Sequence, residues 1–234
     1  MYMWPENVAR RGANEVVSNL HHFINNHLSP TVKHLHLFSD GCRGQNHNNT
    51  MIQFLFTLVH SGRLDSITYR LPIRGHSFLA CDRCFGVIEK RKRVTESVQM
   101  YHEWIDIVRE MFPVEVVTGP DIKDYKGTLA TSFKKTVTRN KIRFKISEQK
   151  VFEFNKTHVY EIKTSSTMSN TVQESYTILK PNATPQFPTQ PIYTGQMPIK
   201  ASKILDMKKL APHLDSLTNP FIDGLIPSND ADSQ

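Results

Sequence analysis

Residues 35 to 60 read as a strand, a tight polar turn and a helix, and this unit limits what the chain can fold into. Leu35-His36-Leu37-Phe38-Ser39 is a short apolar run closed by Asp40. Gly41-Cys42-Arg43-Gly44-Gln45-Asn46 follows, then the apolar stretch Met51 to Val59. A strand that runs through a turn into a helix is half of a βαβ unit, whose second strand must lie parallel to the first. Ile67, Tyr69 and Leu71 alternate and supply that strand, which Pro72 ends. The predicted class is therefore α/β. Phe38 next to Leu37 breaks strict alternation, which predicts a sheet covered by helices on both faces. Asp40 stands at the carboxyl end of its strand, where open α/β sheets place ligand chemistry.

The flanking elements follow the same pattern. Val16, Leu20, Phe23, Ile24 and Leu28 have helical spacing and predict a helix from Gly12 to Leu28, stopped by Ser29-Pro30. The helix after Asp40 is predicted from Gln45 to His60, with Gly62 past its end. Further helices are expected from Cys81 to Arg93 and from Ser97 to Met111. Short strands are expected at residues 1 to 4 and at Val114 to Val117. After about residue 135, short alternating segments predict a small antiparallel meander. Pro181 to Pro198 is Pro-rich and reads as extended, Ile199 to Leu210 as a short helix, and Ser228 to Gln234 as a disordered end. Three parts are expected: a core over 1–118, a basic linker with a β-rich extension over 119–180, and a tail over 181–234.

Charge bounds the partners. The formal net charge of +7 points toward anionic polymers or surfaces and carries no information on fold. One basic run is Lys90-Arg91-Lys92-Arg93. A second holds Lys134, Lys135, Arg139, Lys141, Arg143 and Lys145. From these runs Lys90, Arg91, Lys92, Arg93, Lys134, Lys135 and Lys141, with Arg43 and Arg74, are the candidate nucleic-acid contacts, while solvated charged faces are the plain alternative. The longest apolar runs fall short of the ~18 residues of a membrane span. Three cysteines do not make a secreted disulfide framework, which favours a reducing compartment and a soluble protein.

Asp40, Asp82 and Glu15 are the candidate catalytic carboxylates, with Glu89 in reserve and His76 as a possible water or phosphate contact. Carboxylates gathered at one place repel one another and call for a cation. Mg²⁺ or Mn²⁺ would take oxygen ligands from Asp40, Asp82 and Glu15 and bridge to phosphate. Each residue also has a plain role. Asp40 forms turns, Asp82 caps a helix, Glu15 lies near a helix start, and His76 is a loop histidine. Cys81 and Cys84 form a C-x-x-C that His76 and Cys42 would complete as a zinc site, but a second C-x-x-C is missing and zinc is disfavoured.

Three blocks carry a family resemblance: Arg11 to Ser18, Leu37 to Asn46, and Arg74 to Arg83 followed by Phe85 to Glu89. They resemble an uncharacterised family of transposon-derived proteins, over roughly residues 1 to 212. The resemblance implies an RNase H-like core, as in DDE/D transposases and integrases. It also implies metal-dependent phosphoryl transfer on DNA, with Asp40 in the second carboxylate position and Asp82, or else Glu89, in the third. Glu15 is similar in placement to the extra helix-borne glutamate of ribonucleases H. The family pattern puts a further Asp on a first strand upstream of Met1, so the resemblance implies an N-terminally truncated, inactive fragment. It departs from the pattern at Cys84, where an Asp is usual, and at Ala80, where a Pro is usual. A DNA partner and a nuclear location follow from the resemblance, a homo-oligomer is left open, and a non-catalytic binding module is the competing function.

Overall fold

A computed structural model describes residues 1–72, 79–139, 142–169, 173–214 and 218–228. In chain order the elements are β1 (Tyr2–Met3), α1 (Ala13–Asn26), β2 (His34–Phe38), α2 (Asn49–His60), β3 (Ser66–Arg70), α3 (Ala80–Arg93), α4 (Tyr101–Arg109), β4 (Glu115–Val116), α5 (Tyr125–Ala130), β5 (Thr138–Arg139), β6 (Ile142–Arg143), β7 (Val151–Asn155), β8 (Glu161–Ser165), β9 (Glu174–Thr177), β10 (Ile199–Lys200), α6 (Ala201–Leu210), α7 (Thr218–Asp223) and β11 (Pro227–Ser228). The fold is α/β. Two compact units divide the chain: residues 11–79 with 123–191, and residues 1–10 with 80–122 and 192–234.

The first unit is built on a mixed five-stranded sheet of order β2-β3-β7-β8-β9. β2 and β3 are parallel, from His34 opposite Ser66 to Phe38 opposite Arg70. The connection through α2 is the crossover that parallel pairing requires. β7 then pairs antiparallel with β3, Ile67 opposite Phe154 and Tyr69 opposite Phe152. The expected meander is thus part of this sheet and supplies three of its five strands. α1, α2 and α5 pack with Ile67, Tyr69, Phe152, Phe154 and Ile162 in one apolar core. Nine residues of α2 are buried, among them Phe54, Leu55 and Leu58. At ~1.5–3 kcal/mol for each fully buried large apolar side chain, α2 is the main support of the sheet.

β2 corrects one expectation. Its side chains alternate cleanly, with Leu35 and Leu37 turned to the core and His34, His36 and Phe38 exposed. β2 therefore has one covered face, not two. Phe38 gains a partner on the open face, where the Arg70 guanidinium lies 5.7 Å from its ring centroid.

The helix after Asp40 starts later than its polar entry suggests. Residues 43–48 form a compact turn in which the Cys42 carbonyl accepts from the N–H groups of Gln45, Asn46 and His47. Asn48 caps α2, its Oδ1 accepting from the Met51 N–H at 3.0 Å. Gly62, at φ 78°, takes the left-handed conformation that ends the helix.

In the second unit β1 pairs in parallel with β4, and β10 with β11. α3 and α4 are in contact. Arg91 of α3 makes a two-pronged pair with Glu110, at 2.7 and 3.2 Å. α6 and α7 close a small core of Ile199, Ile204, Ile222 and Leu225. The expected disordered end from residue 229 onward lies outside the described residues.

Candidate nucleic-acid interface

Asp40 lies where the sequence places it, just past the carboxyl end of β2. Its carboxylate is exposed and is held by the turn that follows. Oδ1 accepts from the Cys42 N–H at 3.2 Å and from the Asn46 side-chain amide at 2.6 Å. This is the turn-forming role open to an Asp at such a junction. Oδ2 has no hydrogen-bond or ion-pair partner among the described residues. The turn is anchored from below: the buried Tyr69 hydroxyl donates to the Asn46 carbonyl at 3.1 Å, and burial raises the Tyr69 pKa. His47 anchors it from the side, its ring Nε2 2.6 Å from the Ile146 carbonyl. Burial lowers the His47 pKa, so a neutral ring donating that proton fits the site.

Glu15 is in the same unit but does other work. It is 2 % exposed, and its Oε2 accepts from the Gly12 N–H at 2.9 Å, closing the first turn of α1. Asp82 and Glu89 are exposed residues of α3, in the second unit. His76, Arg74 and Lys141 lie outside the described residues. A hard divalent ion takes about six oxygen ligands and relies on carboxylates to hold it. Asp40 offers one uncommitted oxygen, and no group of three or more His, Cys, Asp or Glu among the described residues could hold a metal ion. Within the first unit a Mg²⁺ or Mn²⁺ at Asp40 would draw its remaining ligands from water, from a bound phosphate or from residues outside the described ones, since the Glu15 carboxylate is engaged by Gly12. Of the candidate zinc ligands, Cys42 and Cys81 are exposed free thiols, Cys84 is free and half-buried, and His76 is outside the described residues.

The two basic runs end in different settings. Lys90, Lys92 and Arg93 are exposed on the last turn of α3, and Arg91 is paired with Glu110. The second run forms the β5–β6 pair and its flanks. Thr138 faces Arg143 across the strands, and the Phe144 N–H donates to the Val137 carbonyl at 2.8 Å. Beside this pair and the start of α2 is a cavity of about 350 Å³, lined in part by Asn49, Gln53, Lys135, Arg143 and Phe144. The Lys134 ammonium donates to the Thr177 carbonyl at 3.1 Å, and Lys145 pairs with Glu148 at 2.8 Å. Lys135, Arg139 and Arg143 are exposed and have no hydrogen-bond or ion-pair partner among the described residues. Their charge is therefore available to an anion.

A family model matches residues 1–172 of the 234, and its description is a domain of unknown function, DUF7869. The chain belongs to the DUF7869 family. The DUF7869 match takes in the Asp40 turn, α3 and the β5–β6 pair. The last sheet strand, the Pro-rich stretch, α6 and α7 lie beyond it. No curated protein and no solved structure matches the chain. No described helix of this DUF7869 chain is long and apolar enough to cross a membrane.

Sequence reasoning passed over His47, Asn49 and Gln53, and it placed Arg139 and Arg143 in a basic stretch without naming them as contacts. His47 carries no local signal, because its hydrogen-bond partner Ile146 is 99 residues away. Asn49 and Gln53 did carry one. They are polar residues four apart on a helix that is otherwise apolar on almost every side, which puts both on one face.

Proposed function

We propose that this chain holds DNA through the β5–β6 face, as the DNA-engaging part of a transposase- or nuclease-like protein. The observation that carries the reading is the trio Lys135, Arg139 and Arg143, exposed and unpaired among the described residues on one short strand pair and its flank. Phosphate contacts by Lys and Arg release counterions, and affinity then falls with salt. Descent from a mobile element, a nuclear location and self-association belong to the same reading, and phosphate binding needs none of them. Fluorescence anisotropy with labelled DNA across a salt series tests it. Three neutralised phosphates predict a fall of about 2 to 3 log units in affinity per tenfold rise in salt. Binding that is absent, or that ignores salt, contradicts the proposal.

A second reading is metal-dependent phosphoryl transfer at Asp40. What favours it is the place of Asp40 at the carboxyl end of a parallel strand, with Oδ2 uncommitted. Incubating the chain with plasmid DNA and Mg²⁺ or Mn²⁺, beside Asp40→Asn, decides it. Cleavage that depends on Asp40 supports the reading, and cleavage that survives Asp40→Asn removes it.

A further inference from the structure

The cavity beside α2 has more in it than a phosphate needs. Its volume, about 350 Å³, falls within the range of small-molecule sites, roughly 300–1,000 Å³. Its floor is formed by the buried Ile52, Phe133 and Ile178, and the half-buried Val137 and Phe144 add apolar wall among polar lining residues. Asn49 and Gln53 stand one turn apart on α2 and both line it. Neither side-chain amide has a hydrogen-bond partner among the described residues. Each amide carries both a donor and an acceptor, the pattern that matches the edge of a nucleobase. At the rim, Lys135 and Arg143 supply unpaired positive charge.

We propose that this cavity takes one unpaired nucleotide of a DNA strand, with the base against the apolar floor and the amides and the phosphate at Lys135 and Arg143. The inference rests on the DNA-binding reading and deepens it. A plain anion would leave the floor and both amides unused, and a purely apolar ligand would leave the two cations unused. A base inside a duplex is stacked and paired, so it enters such a cavity only after unpairing. The site should therefore favour single strands, and the base itself should add affinity through stacking and burial.

The test compares two labelled probes of about twelve nucleotides on the full chain, within the usual range of single-strand sites. One is oligothymidine, and the other has the same backbone with its bases removed. The expected result is about tenfold tighter binding of the thymidine probe. The double variant Asn49→Ala/Gln53→Ala should abolish that advantage and leave the affinity for the baseless probe unchanged. If the double variant loses its helical circular dichroism, Thr136→Trp, which fills the cavity from its exposed rim, replaces it with the same expectation. Equal affinity of the wild type for both probes overturns the nucleotide site and leaves the phosphate-binding reading standing. Binding of neither probe overturns both.

Discussion

The cations at the end of α3 are consecutive and those of the β5–β6 pair and its flanks are spaced along the chain, and the two sets stand on different supports. α3 has fourteen residues and buries one of them, Ile88. Its charges point into solvent, and Arg91 is already matched by Glu110. The β5–β6 cations sit beside α2, which buries nine of its twelve residues, and three of the cations are left unmatched among the described residues. Both are charge runs in sequence, one on a solvated helix and one on a strand pair beside a cavity. What separates them is how deeply the neighbouring elements are buried and whether the charges already have partners.

The largest expected effect concerns that support. Leu55→Ala on α2 removes a fully buried side chain and should cost ~2–5 kcal/mol in urea unfolding. Ile88→Ala on α3, at 8 % exposure in a thinly packed helix, should cost less than half as much. Equal costs would break the contrast between the two helices.

Next comes charge. Lys135→Glu with Arg143→Glu should lower DNA affinity by about tenfold or more, since each removed cation loses a phosphate contact and each new carboxylate repels one. Lys90→Glu with Lys92→Glu should lower it by under about threefold, through the general field alone. The reverse order, measured by anisotropy, would move the interface to α3.

A third prediction uses pH to probe the α2 support. His21 packs among Phe54, Tyr125 and Phe187, with its ring Nδ1 bonded to the Tyr125 hydroxyl. Burial lowers its pKa to about 4. The unfolded chain takes up this proton near pH 6.5 and the folded chain near pH 4, so the unfolded state binds more protons in that window. Stability should therefore fall as pH drops from 6.5 to 4 and should level off below. His21→Phe should flatten the part of the pH–stability curve that His21 causes. His47, also lowered by burial, contributes in the same direction. An unchanged curve in His21→Phe would contradict the buried, neutral state of His21.

The smallest effect belongs to α3. Arg91→Ala breaks an exposed pair and should leave the unfolding midpoint indistinguishable from that of the wild type. A clear loss would show α3 to be more tightly tied than its exposure implies.

How much of this was legible differs by element. α1, β2, α2 and β3 were readable because apolar spacing and local stop signals such as Gly62 and Pro72 act within a few residues. The start of α2 was not, because the Cys42 carbonyl gathers three N–H groups into a turn that the polar sequence does not announce. The strands of the meander were visible, but the pairing of β7 with β3 joins residues more than eighty apart, and local pattern does not encode that register. Asp40 was placed correctly on its strand end, and its turn contacts with Cys42 and Asn46 lie within six residues. Glu15 looked available as a ligand, yet it closes the first turn of α1 through Gly12, three residues before it. The cavity was the least legible feature, because its wall residues come from α2, from residues 133–146 and from Ile178.

The most direct test of the central claim is the salt slope of DNA binding, measured for the wild type, Lys135→Gln/Arg143→Gln and Lys90→Gln/Lys92→Gln. The account predicts that Lys135→Gln/Arg143→Gln reduces the slope by about 1.4 to 1.8, some 0.7–0.9 for each lost phosphate contact, and that the α3 pair leaves it nearly unchanged. A slope that Lys135→Gln/Arg143→Gln does not change, or that only the α3 pair reduces, would contradict the claim that the β5–β6 face holds the DNA.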